Sequence, residues 1–306
     1  MTGILRKLAL ATALATAPLA LPALAETVTV TTATGEVAAP AAPARVVPLD
    51  FAAADTLIAL GVAPAGRPDF APPAYLADAL ADVPTVGTLF EPDFEALAVM
   101  APDLIIAGSR SQSQVRALSE LAPTLDMTID GTRLLQDAEA RIDAYGAIFG
   151  QEDRAAALKT RLDDAISRAA TAVAGKGDGL ILMANGGKIS AYGANSRFGW
   201  MHAALGLPEA VPGLQSANHG EAVSFEFVAD ADPDWLLVID RGAAVGQGGE
   251  AAAATLDNPL IAGTTAGQNG QIVYLDGAAT YLADGGFQAL MVVLDQITTA
   301  FGGAAS

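Results

Sequence analysis

The chain has 306 residues, no cysteine, and 34 acidic against 16 basic residues, which gives a formal net charge of −18. The absence of cysteine excludes disulfides and thiolate metal sites. A chain this acidic repels nucleic acid and anionic lipid, so neither is expected as a partner.

Residues 1–25 have the layout of a secretory signal peptide. Arg6 and Lys7 precede an apolar run that ends in Ala23-Leu24-Ala25, an A-x-A cleavage pattern. A membrane anchor is the alternative, but prolines interrupt the run and it is short for a span. Since no cysteine follows that could carry a lipid, we expect a protein exported to the periplasm without a lipid anchor. Its 14 remaining basic residues against 34 acidic ones give the mature chain a net charge of −20.

Residues 26–150 are predicted to form an N-terminal α/β lobe. An alternating stretch predicts an edge hairpin and a Pro/Ala linker, after which Arg45–Leu49 is predicted as a strand and Phe51–Val62 as a helix. A second helix from Pro92 to Met100 precedes a buried strand at Leu104–Ala107. Alternation of strands and helices is typical of a layered α/β sheet.

Continuous helical periodicity follows from Arg133 to Val173, with a break near Gly150. Residues 151–175 predict one long amphipathic linking helix. The basic residues of this stretch alternate with acidic ones, as on a solvated helix face. Strand–helix alternation resumes in residues 176–306, which predict a C-terminal α/β lobe. No internal repeat is evident, so the simplest architecture is two lobes joined by a helix, with a cleft between them.

Three of the few basic residues outside the helical stretch share one context. Arg110 follows DLIIAGS, Arg197 follows KISAYGANS and Arg241 follows WLLVID, so each lies just beyond the carboxyl end of an apolar strand. Ligands of open α/β sheets bind at that edge. Each arginine alone could equally make a local salt bridge or cap a loop. Three in one topological position, contributed by both lobes, favour a binding site for an anion.

Two further side chains are candidate metal ligands. His219 lies in a loop of small and polar residues, where it is either solvated or a ligand, since neutral imidazole commonly binds metals. Tyr281 follows the strand QIVYLD and precedes glycines, and its phenol oxygen is a hard donor that suits Fe(III). His202 has helical spacing among apolar residues and is predicted to be packed within a helix.

The blocks ISAYGANSRFGW, NHGEAVSFEF and VIDRGAAVG resemble periplasmic siderophore-binding proteins of ABC importers, in the branch that handles ferric catecholates. More generic blocks, such as PDLIIAG, match the same family, so the resemblance covers nearly the whole mature chain. It implies the class III periplasmic binding protein fold, in which two Rossmann-like α/β lobes are joined by a single long helix. It also implies a binding protein rather than an enzyme, and the chain has no G-x-S-x-G, H-E-x-x-H or P-loop motif.

The resemblance also assigns ligand-binding roles. In the family a basic triad holds the anionic iron complex, and the matching positions are Arg110, Arg197 and Arg241. A histidine and a tyrosine can complete the coordination of an iron whose siderophore fills four positions, and these match His219 and Tyr281. The implied ligand is an Fe(III)-siderophore, and no intrinsic cofactor is expected.

The sequence leaves one alternative class of ligand open. Haem, cobalamin or another metal chelate could occupy the same kind of clamshell, and such a ligand predicts fewer arginines in the cleft. Within the ligand-binding region, Asp284 stands where the family pattern leads us to expect a small residue.

The same family docks on an inner-membrane ABC permease through one glutamate on each lobe. The matching residues are Glu95, in PDFEAL, and Glu226, in VSFEF. Taken alone, each would be an ordinary exposed glutamate of a helix, and their occurrence on both lobes favours the docking role. The protein is expected to act as a monomer.

Overall fold

The computed structural model describes residues 26–214, 219–246 and 251–303. The predicted signal peptide, residues 1–25, lies outside the described residues. Within the described ranges, no helix is both long enough and apolar enough to cross a bilayer.

The first lobe contains a parallel three-stranded sheet and a separate hairpin. Its strands are β1 (Thr27–Thr32), β2 (Gly35–Pro40), β3 (Val46–Pro48), β4 (Leu104–Ala107) and β5 (Thr124–Asp126). The predicted edge hairpin is confirmed as the antiparallel pair β1 and β2. The order of the sheet is β3-β4-β5, with both pairs parallel. The central strand β4 is buried throughout, which explains its uninterrupted apolar sequence LIIA.

The second lobe contains a mixed five-stranded sheet. Its strands are β6 (Gly179–Asn185), β7 (Lys188–Tyr192), β8 (Glu221–Val223), β9 (Trp235–Asp240) and β10 (Ile272–Leu275). The order is β10-β9-β6-β7-β8. The first three strands of that order run parallel, whereas β7 runs antiparallel to both of its neighbours.

Helices cover the sheets and connect the lobes. The α-helices of the described residues are α1 (Phe51–Ala59), α2 (Ala77–Leu80), α3 (Phe94–Met100), α4 (Val115–Leu118), α5 (Leu134–Phe149), α6 (Glu152–Val173), α7 (Trp200–Leu205), α8 (Phe225–Ala231), α9 (Arg241–Ala244), α10 (Ala252–Leu256), α11 (Pro259–Ala262), α12 (Thr265–Gln268) and α13 (Phe287–Gly303). A single π-helical turn at Ala278–Leu282 follows β10.

The linking helix is α6, and its prediction as one long helix is confirmed. It has 22 residues and is therefore about 33 Å long. Gly150 ends α5 in the left-handed conformation, with φ 62°, and so separates the two helices. The face of α6 that packs inward repeats every three or four positions and consists of Ala155, Leu158, Leu162, Ala165, Ala169 and Val173. The predicted domain limits at residues 150 and 175 stay a prediction.

The C-terminal helix α13 packs along α6 and also against α1 of the first lobe. Its first N–H groups are capped by α1. Gln288 N and Ala289 N donate to the two carboxylate oxygens of Asp55 at 2.7 and 2.9 Å, and Phe287 N donates to Thr56 Oγ1 at 3.2 Å. These hydrogen bonds hold the start of α13, and with it the preceding segment that contains Tyr281, against the first lobe.

Asp55 gives the fold a predicted pH dependence. Burial raises the pKa of this carboxyl from its usual 3.8 to about 7, against the opposing effect of the N–H donors of Gln288 and Ala289. Because the folded-state pKa is the higher one, the contribution of Asp55 to stability is fully present below pH 3.8 and is lost as the pH rises through 7. Between pH 8 and pH 5 this difference amounts to about 2–3 kcal/mol.

The matched comparison is Asp55→Asn, which keeps an acceptor oxygen but does not titrate. Denaturant unfolding of both proteins at pH 5 and pH 8 measures the effect, since all other titrating groups are shared. We expect the wild type to gain about 2–3 kcal/mol relative to the variant at the lower pH. A difference between the two proteins that is the same at both pH values would contradict this prediction.

Candidate functional site

Arg110 is positioned by a tight turn at the end of β4. Ser111 N donates to Gly108 O at 3.0 Å, and Gly108 N donates to Ser111 Oγ at 3.1 Å. The turn requires glycine because a Cβ at Gly108 would lie 1.4 Å from Asp50 Oδ2. The guanidinium of Arg110 reaches the C-terminal part of the chain, where it donates to the carbonyl oxygens of Tyr281 and of the next residue at 2.9 and 3.5 Å.

Arg241 is positioned by the end of β9. Asp240, the last residue of that strand, caps α9 by accepting a hydrogen bond from Ala243 N at 2.9 Å. Arg241 is therefore the first residue of α9, at the carboxyl edge of the sheet. Its Nε donates to Tyr281 Oη at 3.0 Å, and a terminal nitrogen donates to Asn185 Oδ1, at the end of β6, at 3.2 Å.

Arg197 reaches the same place by a different route. Because β7 is antiparallel, its last residue Tyr192 lies opposite Ile181, near the start of β6. The expectation that all three arginines follow strand ends at one sheet edge is therefore wrong for Arg197. The loop of residues 193–199 nevertheless carries its guanidinium to within 4.9 Å of the Tyr281 ring centre.

The side chain of Tyr281 is the point at which the three arginines meet. The guanidinium carbons of Arg110 and Arg241 each lie 5.4 Å from the ring centre, which is within the distance of cation–π contacts. Burial opposes ionisation of the phenol, but the hydrogen bond from Arg241 and the charges of Arg241, Arg110 and Arg197 outweigh it and lower the pKa of Tyr281. The arrangement thus makes the phenol of Tyr281 easier to deprotonate than that of an ordinary tyrosine.

Asp284 forms an ion pair with Arg197 that the sequence did not predict. A terminal guanidinium nitrogen of Arg197 lies 2.5 Å from Asp284 Oδ2, and the two side chains are 18% and 23% exposed. Burial opposes the charge of Arg197, but the adjacent carboxylate outweighs it and raises the pKa of that arginine. The small residue expected at position 284 is thus replaced by an anion inside the site.

Arg110, Arg197, Tyr281 and Asp284 line a cleft of about 720 Å³. Arg241 lies outside this lining and joins the group through Tyr281 Oη. The wall contributed by the first lobe includes Phe90, whose side chain is 62% exposed. Sequence reasoning missed Phe90, although an apolar residue within a run of turn residues could have been noticed.

Phe90 is held in a turn rather than in a packed element. Thr88 Oγ1 accepts hydrogen bonds from Phe90 N and Glu91 N at 3.3 and 3.0 Å. An exposed ring in a cleft that also contains guanidinium groups can stack on an aromatic ligand while the cations bind its oxygens.

His219 is exposed and lies directly after residues 215–218, which are outside the described part of the chain. The next residue, Gly220, packs on the ring of Tyr192, since a Cβ there would lie 2.7 Å from ring carbons. Burial raises the pKa of Tyr192 to about 12, and the charges of Arg197 and Arg241 act on the same phenol in the opposite direction. The His219 segment therefore adjoins the arginine cluster through Tyr192.

His202 is buried in α7, and its Nδ1 lies 2.9 Å from Leu207 O. Its prediction as a packed helix histidine is confirmed. Among the described residues, no group of three or more histidine, aspartate and glutamate side chains is placed to hold a metal ion.

Glu95 and Glu226 occupy equivalent places in the two lobes. Both are exposed and lie in the first turn of a seven-residue helix, α3 or α8. Each helix is capped by a side chain: Asp93 accepts a hydrogen bond from the N–H of Ala96 at 3.0 Å, and Ser224 accepts one from Phe227 at 3.2 Å. Each also ends at a residue with positive φ.

The equivalence extends from these caps to the arginines. Asp93-Phe94-Glu95 and Ser224-Phe225-Glu226 are each followed by Pro-Asp, then a buried strand, then an arginine 17 positions after the cap. The aspartates of the two Pro-Asp pairs act alike, since Asp103 accepts from Arg45 N at 2.9 Å and Asp234 from Asp178 N at 3.0 Å. The expectation of no internal repeat is therefore wrong. The repeat was missed because its identical residues are too sparse to be recognised in the sequence without the structure.

Comparison with known proteins gives the family. The sequence profile described as periplasmic binding protein matches residues 46–279. The petrobactin-binding protein YclQ of Bacillus subtilis is 35% identical over 265 residues, which are 84% of this chain and 82% of that protein. The crystal structure of YclQ has a TM-score of 0.86 at 32% identity and covers 90% of this chain and 99% of its own.

Two Vibrio proteins are also similar. The periplasmic catecholate-siderophore binding protein VctP of Vibrio cholerae has a TM-score of 0.83 at 33% identity, covering 89% of this chain and 99% of its own. The ferric-anguibactin-binding protein FatB of Vibrio anguillarum is 29% identical over 264 residues, 83% of this chain and 81% of that protein.

This chain belongs to the periplasmic binding protein family, and these relatives are siderophore-binding proteins. The predicted class III fold, with two α/β lobes joined by a helix, is confirmed. The expectation that the chain is not an enzyme is also confirmed, because the relatives are substrate-binding proteins.

Proposed function

We propose that this protein is the solute-binding component of an ABC importer and captures anionic ferric catecholate complexes in the cleft between its lobes. The observation that carries the proposal is the meeting of three guanidinium groups, from both lobes, at the phenol of Tyr281. Catecholate oxygens bear the negative charge of such a complex. Arginine offers them planar, charge-assisted hydrogen bonds and stays protonated at every relevant pH.

Tyr281 and His219 are proposed to complete the coordination of the iron. The lowered pKa of Tyr281 supports this role, since the phenolate is the form that binds Fe(III). His219 is exposed, and the next residue, Gly220, packs on Tyr192, which lies within electrostatic reach of Arg197 and Arg241; this proximity supports the role proposed for His219. A tetradentate bis-catecholate, which leaves two iron positions open, is the siderophore type that uses both residues.

Delivery is proposed to run through Glu95 and Glu226. The matched caps, helix lengths and exposure of the two glutamates support a surface with one carboxylate on each lobe, which basic sockets of a permease could bind. We further propose that the mature protein acts in the periplasm as a monomer without a lipid anchor, after removal of residues 1–25.

A haem or cobalamin ligand is the alternative, and it predicts fewer arginines at the cleft than the structure has. The test is a titration of the purified protein with ferric bis-catecholate, ferric trihydroxamate, haem and cobalamin, followed by tryptophan fluorescence. Trp200 reports on the site because it shares a small cavity with Thr280 and Asp284. We expect saturable quenching, at submicromolar concentration, by the ferric catecholate; quenching by haem or cobalamin alone would overturn the proposal.

Replacing Tyr281 by phenylalanine tests direct ligation of the iron. A phenolate bound to Fe(III) contributes to the visible charge-transfer band of the complex, so the Tyr281→Phe protein with ferric bis-catecholate should show a shifted or weaker band. Tyr274→Phe is the matched control, because Tyr274 is 42% exposed on β10 and lines none of the cavities described above. A spectrum unchanged from that of the wild type would exclude ligation by Tyr281.

A further inference from the structure

Asp284 occupies the place where an anionic ligand would bind. Its carboxylate lines the 720 Å³ cleft and lies 2.5 Å from the guanidinium of Arg197. It also lines a second, smaller cavity together with Asp50 and Arg110. One of the three arginines assigned to the ligand therefore already holds an oxygen anion of the protein.

The partners of the other two arginines differ in kind. Arg110 donates to two backbone carbonyls, and Arg241 donates to the phenol of Tyr281 and the amide of Asn185. These partners are dipoles that a ligand oxygen can replace without exposing a buried charge. Asp284, in contrast, keeps a full negative charge in the cleft, so the three arginines and Asp284 together carry two positive charges instead of three.

The charge of a ferric catecholate depends on the number of catecholate groups. Fe(III) with two doubly charged catecholates has one net negative charge, and with three it has three. The Coulomb energy of a ligand beside Asp284 is proportional to the ligand's own charge, so this carboxylate repels the tris-catecholate complex three times as strongly. The penalty is large in a partly buried site, where solvent screens less than at an open surface.

We propose that Asp284 is a specificity-determining residue that selects against highly charged tris-catecholates, because it reduces the attraction of the cleft for such complexes more than its attraction for ferric complexes of low negative charge. This inference rests on the proposed function and names the charge class of its ligand. The same selection favours a complex that leaves iron positions open for Tyr281, since fewer catecholate groups mean both lower charge and fewer filled positions.

The test compares wild type with Asp284→Asn, which keeps the size of the side chain and removes its charge. The probes are the Fe(III) complexes of a synthetic tetradentate bis-catecholamide and a hexadentate tris-catecholamide, titrated at pH 7.5. We expect affinity for the bis-catecholate complex to rise about threefold and affinity for the tris-catecholate complex about 30-fold, because the logarithm of the gain scales with ligand charge. Asp295→Asn is the control, since it removes the same charge from an exposed position of α13.

The possible results separate the two proposals. Equal gains for both complexes, or weaker binding of both, would overturn the selecting role, and weaker binding would assign Asp284 to positioning Arg197. The same selective gain in Asp295→Asn would also overturn it, because the effect would then come from net charge alone. A wild-type protein that binds neither ferric complex would contradict the proposed function itself.

Discussion

Replacing Arg241 by alanine is expected to weaken the binding of ferric catecholates by about 10- to 100-fold. The change removes one charged donor and also the hydrogen bond to Tyr281 Oη, which is the largest of the effects that lower the pKa of this phenol. Arg241 is the most suitable of the three arginines for this test, because its partners Tyr281 and Asn185 are neutral groups. Loss of Arg241 leaves no carboxylate unpaired, whereas loss of Arg197 would leave the carboxylate of Asp284 without its ion-pair partner.

Fluorescence titration with ferric bis-catecholate measures the effect. Arg116→Ala is the matched control, since Arg116 lies exposed on α4 and lines none of the cavities described above. Affinities of Arg241→Ala that stay within about twofold of the wild type for every ferric catecholate would show that the arginine cluster is not the binding site.

The second large effect is expected on transport rather than on binding. A double variant, Glu95→Gln with Glu226→Gln, removes both exposed carboxylates of the proposed docking surface while keeping the size of each side chain. Because loss of one partner of an interfacial charge pair can cost about 2–5 kcal/mol, uptake should fall at least tenfold. Affinity for the ferric complex should not change, since neither residue lines the cleft.

Uptake of iron-labelled bis-catecholate by cells of the source organism carrying the double variant is the measurement. Glu120→Gln with Glu152→Gln removes the same number of exposed carboxylates elsewhere and serves as the control. Uptake at the wild-type rate in the Glu95 and Glu226 variant would exclude these residues from docking.

Much of the fold could be predicted because it depends on long periodic segments. The helix α6 has an apolar residue every three or four positions, and β4 and β9 are continuous apolar runs, so each gives a clear pattern. The strands β5 and β8 have three residues each and are too short to show one. The direction of β7 was also not predictable, because side-chain alternation is the same in parallel and antiparallel strands.

In the candidate site too, only the residues that a local sequence pattern marks could be predicted. Arg110, Arg197 and Arg241 could be found from their position after apolar strands, and Tyr281 from its place between a strand and glycines, whereas the family pattern supplied their roles. The pair between Arg197 and Asp284 joins residues 87 positions apart, and no local pattern encodes such a contact. Nor does the sequence show that Asp55 caps a helix that begins more than 200 residues later.

The decisive experiment is a crystal structure of the protein with ferric bis-catecholate bound. We expect the complex in the cleft between the lobes, with guanidinium nitrogens of Arg110, Arg197 and Arg241 at hydrogen-bond distance from catecholate oxygens and Tyr281 Oη on the iron. A complex bound elsewhere, or bound in the cleft with those three side chains turned away from it, would disprove the proposed binding site.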